Sequence, residues 1–313
     1  LENLTLTKNN STPRIPPFGG RHSTRQTAIV FTSICFLSQK ERKMNPVTSF
    51  IKRYPQGVFW GLAYLVSFGG YYISVLYPSD AWILVILAIF LGGALVTGIA
   101  DGRGAVKTYF GRLVRFRAGI QWYLIALSAP FVLAFIAYGL SLLTGAKVSG
   151  NFPGFGVIAE TFIFSCLTIS LGEEPGFRGF SLPRFMKGRS AFAASLIVGV
   201  LHAIWHLPLV IGGETPILDL LHPLCAAFLF TWIFNHTNGS VFIAILLHAS
   251  SDAVSPFFAP LFSGTSSTIF TIWHAVAFVA MAILLRIFAG RELGRKSEAG
   301  MDTPPAQQPA MAR

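Results

Sequence analysis

At 313 residues the chain has the length of one to three soluble domains, yet it is 53% hydrophobic and only 12% charged, where soluble domains run near ~25% charged. With a mean hydropathy of +0.59 and with 29 Phe and 6 Trp, it has too few charges to cover a globule in water, so a soluble enzyme and a free nucleic-acid binder are excluded. The net charge of +11 reads as the Lys/Arg excess of cytoplasmic loops rather than as a nucleic-acid footprint.

Residues 1–43 are polar, rich in Ser, Thr and Asn, and carry Pro13, Pro16 and Pro17. Their one apolar run, Ala28–Leu37, is too short to span a bilayer and is followed by no cleavage pattern. Met44-Asn-Pro then opens a short basic stretch ahead of a hydrophobic helix. The expectation is that translation starts at Met44, the alternative being a disordered cytoplasmic leader. Without the segment's seven basic and two acidic residues the net charge falls to +6.

Apolar runs near the ~20 residues that cross a bilayer follow in order. They predict an all-α polytopic membrane protein of about eight transmembrane helices: Gly57–Tyr77, Ala81–Ala100, Ile120–Leu143, Gly156–Leu182, Ser190–Ile211, Ile217–Phe234, Ser240–Phe262 and Thr268–Phe288. The intervening loops test this count. Lys52 and Arg53 precede the first span. Arg103, Lys107, Arg112, Arg115 and Arg117 fill the second loop, and Arg184, Lys187 and Arg189 the fourth. Arg291, Arg295 and Lys296 follow the last span. The alternate loops hold Asp80, Glu214 and a single basic residue, Lys147. Such alternation implies a multi-pass protein with both termini cytoplasmic. The sequons at Asn235 and Asn238 then face the cytoplasm and are discounted. The expected organisation is a leader over 1–43, three spans and a basic loop over 44–150, a polar core over 151–262, a last span over 263–290 and a disordered basic tail over 291–313. Cys35, Cys166 and Cys225 have no metal-site spacing and imply no disulfide framework.

Ionisable groups inside spans cost roughly 2.5–3.5 kcal/mol each on insertion scales and point to function by default. Here they cluster: Glu173, Glu174 and Arg178 in the fourth span, His202 and His206 in the fifth, His248 and Asp252 in the seventh. Residues four apart stack on one helix face, so Glu174 can pair with Arg178 while Glu173 turns aside. Counted from the cytoplasmic ends, Glu173 and His248 lie roughly 13–15 Å deep, and three helices can present one buried polar pocket. His222 or His274 alone reads as a helix–helix hydrogen-bonding group, and Glu160 and Asp219 as outer-interface charges.

A sheltered carboxylate beside an imidazole can activate one water, and a second imidazole with an amide or acid can stabilise an oxyanion. That set suits amide hydrolysis. No Gly-x-Ser-x-Gly elbow or His-Glu-x-x-His motif lies in the apolar runs, so serine-hydrolase and zincin readings lack support. His202, His206, His248 and Glu173 form an alternative zinc-ligand set, but the nearby Arg178 disfavours a divalent cation. The expectation is therefore no cofactor, with zinc as the alternative.

At these residues the sequence resembles a known family. Gly172-Glu-Glu-Pro-Gly-Phe-Arg is similar to the Glu-Glu-x-x-x-Arg motif of the CPBP intramembrane proteases, the CAAX-protease and bacteriocin-processing (Abi) family. His202-Ala-Ile-Trp-His resembles its Phe-x-x-x-His motif, and His248-Ala-Ser-Ser-Asp its His-x-x-x-Asn/Asp motif. The resemblance covers about residues 155–255. It implies Glu173 as general base, Glu174 as its partner, Arg178 as the arginine holding that helix turn, His206 as the assisting histidine, and His248 with Asp252 as the oxyanion-side pair. His202 stands in place of the Phe, and Asp252 where CAAX proteases usually carry Asn. The implied activity is endopeptidase cleavage of a membrane-associated protein or peptide at the cytoplasmic leaflet. A transporter that relays protons or binds an ion in the pocket competes with it, but calls for inverted repeats that the sequence does not show. A non-catalytic membrane protein, as in bacteriocin immunity, is the third reading.

Overall fold

The computed structural model describes residues 45–76 and 82–295. The expectations for the leader, for a start at Met44 and for the tail beyond residue 295 lie outside the described residues. Those residues are helical with no strand among them. Six helices are long and apolar enough to cross a membrane, and two shorter apolar helices, Val85–Asp101 and Ala191–Trp205, fill the remaining positions.

The chain opens with a short basic helix, α1 (Pro46–Arg53). The first two spans follow as α2 (Pro55–Leu76) and α3 (Trp82–Asp101). The basic segment after them is itself a helix, α4 (Arg103–Leu113), whose Tyr109 is buried and donates to the Phe90 carbonyl at 2.8 Å. The third span is α5 (Ile120–Leu143).

The fourth span is built from pieces: α6 (Phe155–Leu167), α7 (Ile169–Glu174), a π-helical stretch at Pro175–Ser181, and α8 (Leu182–Phe185). Pro175 has no N–H to give the ladder, so the regular i→i−4 pattern fails where the motif begins. Carbonyls of this irregular turn find partners on other helices. Arg112 Nη1 donates to Gly179 O at 2.6 Å and Gln56 Nε2 to Ser181 O at 2.8 Å. Gly172 lets α7 press against α3, because a Cβ there would lie 1.8 Å from Ile86 Cγ2.

The fifth span, read from sequence as one run, is interrupted. Ser190 caps α9 (Ala191–Trp205) by accepting from the Ala193 N–H at 3.3 Å. The helix stops at His206, two residues ahead of Pro208, and resumes as the short α10 (Leu207–Ile211). A 3₁₀ turn at Ile217–Leu220 leads into α11 (Leu221–His236). Ser240 caps α12 (Val241–Phe258), and α13 (Thr265–Phe288) closes the bundle. α12 belongs to the most enclosed of the six long spans. The outer flanks carry exposed Leu91, Leu95, Leu124, Ile136, Ile283 and Ile287, which suits contact with lipid tails.

Candidate active site

Two elements converge on α12. The fourth span brings Glu173, Glu174 and Arg178, α9 and its terminus bring His202 and His206, and α12 brings His248 and Asp252. Glu173, Glu174, Arg178 and His202 are each at most 4% exposed. Charges this deep are tolerable only if paired and hydrogen-bonded.

Glu174 is held through one oxygen, its Oε2 being buried without a hydrogen-bond partner. Its Oε1 accepts from Arg178 Nη1 at 2.9 Å along its own helix, and from His248 Nδ1 at 2.8 Å across the bundle. The Arg178 guanidinium carbon lies over the Phe230 ring, 3.9 Å from its centroid, a cation–π contact in a dry setting. Phe177 packs between the Trp60 ring, stacked at 5.1 Å, and the His202 ring at 4.6 Å.

Glu173 has a different environment. Its Oε1 accepts from Trp205 Nε1 at 3.3 Å. Its Oε2 lies 3.3 Å from His202 Nε2, within ion-pair distance but without the angles of a hydrogen bond. Neither atom has a hydrogen-bond partner in the protein. Two buried polar atoms in that state are suited to a shared water.

The end of α9 positions His206. A helix C-terminus leaves carbonyls unpaired, and here α2 and His206 itself take them. Ser67 Oγ donates to Trp205 O at 2.8 Å, Tyr64 OH to Leu201 O at 3.1 Å, and His206 Nδ1 to His202 O at 3.0 Å. Because Nδ1 carries the donated proton, the neutral ring keeps Nε2 as an acceptor. On α12, His248 Nε2 lies 3.7 Å from Asp252 Oδ1, and Asp252 Oδ2 accepts from the Ser165 hydroxyl of α6.

Two cavities meet at His206, His248 and Asp252. One, about 480 Å³, reaches Glu173 and Trp205. The other, about 340 Å³, continues past His222, Ser251 and His274 to Asp219. His222 Nε2 and Ser251 Oγ are 3.0 Å apart. Thus His222, His274 and Asp219, read from sequence as packing or interface groups, line a chamber that joins the polar cluster. Glu160 stands apart as an exposed residue on α6.

Trp205 and Ser165 were not legible as site residues. Each is an ordinary member of an apolar run, and only the packing of a second helix turns its N–H or O–H toward a carboxylate. The alternative zinc set lies within this cluster, but among the described residues no three His, Cys, Asp or Glu side chains are placed to hold a metal ion. His206 Nδ1 is committed to a carbonyl and His248 Nδ1 to Glu174.

Residues 155–254 match the family model described as type II CAAX prenyl endopeptidase Rce1-like. A CAAX prenyl protease 2 of Methanococcus maripaludis is 20% identical over 207 residues, covering 60% of this chain and 73% of the relative. Lysostaphin resistance protein A of Staphylococcus haemolyticus is 22% identical over 184 residues, covering 56% of this chain and 50% of the relative. This chain therefore spans half the length of that second protein.

Proposed function

We propose, from the premise that residues 155–254 carry a core of the CPBP family, that the chain is a membrane-embedded endopeptidase whose water nucleophile is activated by Glu173. The observation that carries the reading is the division of labour between adjacent glutamates. Glu174 Oε1 is held by both Arg178 and His248 and Glu174 lines neither cavity, whereas Glu173, tied only to Trp205, keeps Oε2 without a hydrogen-bond partner beside His202 and stands on a cavity wall.

In this mechanism a water held by Glu173 Oε2, with His206 Nε2 orienting it, gives its proton to Glu173 while its oxygen attacks the scissile carbonyl carbon. Trp205 Nε1–H keeps Glu173 aimed. His248, anchored through Nδ1 to Glu174, offers Nε2–H to the developing oxyanion when the ring is protonated. Collapse of the tetrahedral intermediate breaks the C–N bond, and Glu173 returns its proton to the departing amine. Arg178 pairs with Glu174 and holds it where it fixes His248. Asp252, accepting from Ser165, holds the far side of the His248 ring.

Substrates are polypeptides that reach the bilayer, and the protein sits multi-pass in a bacterial plasma membrane with both termini cytoplasmic, as the loop charges favour. Purified protein incubated with a peptide library, wild type against Glu173→Gln, tests the reading. New peptide termini produced only by wild type are the expected result, and identical product profiles would remove it.

A further inference from the structure

The bundle has two ends. One carries the basic segments, with Arg103, Lys107 and Arg112 on α4 and Arg184, Lys187 and Arg189 after the fourth span. The other carries the turns near residues 143–155, 211–217 and 258–265, where Lys147 is the one Lys or Arg among the described residues. Glu173 lies fewer residues from the basic end of its span than from the other. Depth alone therefore suggests entry from the basic end, as the cytoplasmic-leaflet expectation has it.

Packing argues otherwise. Toward the basic end the polar cluster is capped by Phe177, Arg178, Phe180 and Ser181, all at most 1% exposed. Trp60 Nε1 donates to Ser181 Oγ at 2.9 Å, and Phe59 packs on Phe180 with centroids 4.7 Å apart. Both cavities run the other way. The one at Glu173 is lined by Ser74 near the end of α2, Ile86 near the start of α3, and Leu209 and Glu214 beyond the break in α9. Its neighbour is lined by Thr215, Asp219, Ser255, Ala259, Ser267 and Thr271. Each of these belongs to a helix end or turn remote from the basic segments.

We propose that the polypeptide substrate enters from the end opposite the basic loops, which the charge asymmetry assigns to the extracytoplasmic face. The substrate class is accordingly a peptide or protein segment exposed outside the cytoplasm. The two chambers take the chain on either side of the scissile bond, and the aromatic cap closes the cytoplasmic side. This rests on the peptidase reading for the word substrate, but not for the direction of access.

The test is sided labelling of the full chain. Cys35, Cys166 and Cys225 are replaced by Ser, and single cysteines are placed at Ser74, at Ser251 and, as a side marker, at exposed Lys187. Sealed right-side-out and inside-out vesicles are treated with a membrane-impermeant cationic thiol reagent. Ser74→Cys and Ser251→Cys are expected to react in right-side-out vesicles and be protected in inside-out ones, with Lys187→Cys showing the reverse. Labelling of the two chamber positions from the same side as Lys187→Cys, protection of both from either side, or reaction of Lys187→Cys from outside each overturns the proposal. Ser74→Cys keeps the test open should loss of the Ser251 hydroxyl, bonded to His222, disturb folding. Labelling needs no turnover, so it is decided independently of the Glu173→Gln comparison.

Discussion

His248 donates through Nδ1 to Glu174 Oε1 at 2.8 Å, although the two residues are 74 positions apart. The bond ties α12 to the end of α7, and Glu174 lines neither cavity. Its neighbour Glu173 is the carboxylate left facing a cavity.

Glu173→Gln and His206→Ala are each expected to abolish peptidase activity while leaving a folded protein. Glutamine preserves the Trp205 contact but cannot take a proton, and His206 bonds only to a carbonyl of its own helix. Loss of a general base lowers rates by about 10²–10⁴-fold. Activity of Glu173→Gln within about twofold of wild type, well short of that range, would exclude the mechanism.

Arg178→Ala is expected to destabilise strongly. It strands Glu174 in a site 0% exposed, and breaking one side of a buried ion pair costs about 3–5 kcal/mol. Thermal unfolding in detergent should show this, and the double variant Glu174→Gln/Arg178→Met should recover much of the loss. A double variant no more stable than Arg178→Ala would show that the aromatic packing of Arg178, not its charge, holds the turn.

Gly199→Val probes the α9–α11 seam. A Cβ at Gly199 would lie 2.5 Å from the Leu224 carbonyl oxygen and 3.1 Å from Ala227 Cβ. Backbone cannot step aside as a flexible side chain can, so a loss of about 1–3 kcal/mol is expected, read as a lowered unfolding temperature. Wild-type stability would mean that the two helices are free to separate.

Asp252→Asn is expected to retain much of the activity, because an amide oxygen can still accept from Ser165 and its NH₂ can face His248. A strong chelator should leave turnover unchanged. Stoichiometric zinc in the purified protein, lost together with activity and restored with it, would establish metal chemistry instead.

Peptide charge should matter in a defined direction. The cavity walls hold Glu173, Glu214, Asp219 and Asp252 and, among the described residues, no Lys or Arg. Peptides with Lys flanking the cleaved bond are expected to show kcat/KM about 10-fold above Glu-flanked versions at low salt, with the gap closing as salt rises. Equal values at low salt would remove the electrostatic argument.

Much of the architecture was readable from the chain. Hydrophobic run lengths mark the spans, and four-residue spacing forecasts the Glu174–Arg178 pair. Three features were not. The basic stretch around Lys107 reads as a loop because charges dominate it, yet burying Tyr109 against α3 makes it a helix. The fifth span reads as continuous because its composition stays apolar through Ile211, although Pro208 supplied a local signal for the break. The chamber around His222 and His274 depends on α11 and α13 packing beside α12, which no local periodicity encodes.

The π-helical stretch at Pro175–Ser181 carries a consequence for how such chains can diverge. An α-helix turns about 100° per residue, so removing one of Pro175–Phe177 would shorten the Glu174–Arg178 spacing from four to three and turn Arg178 about 100° relative to Glu174, away from its present place over Phe230. Connections such as residues 145–154 can lengthen or shorten with little effect on the cluster. A single-codon deletion between Pro175 and Phe177 is therefore expected to be about as damaging as loss of Arg178 itself, read as a lowered unfolding temperature.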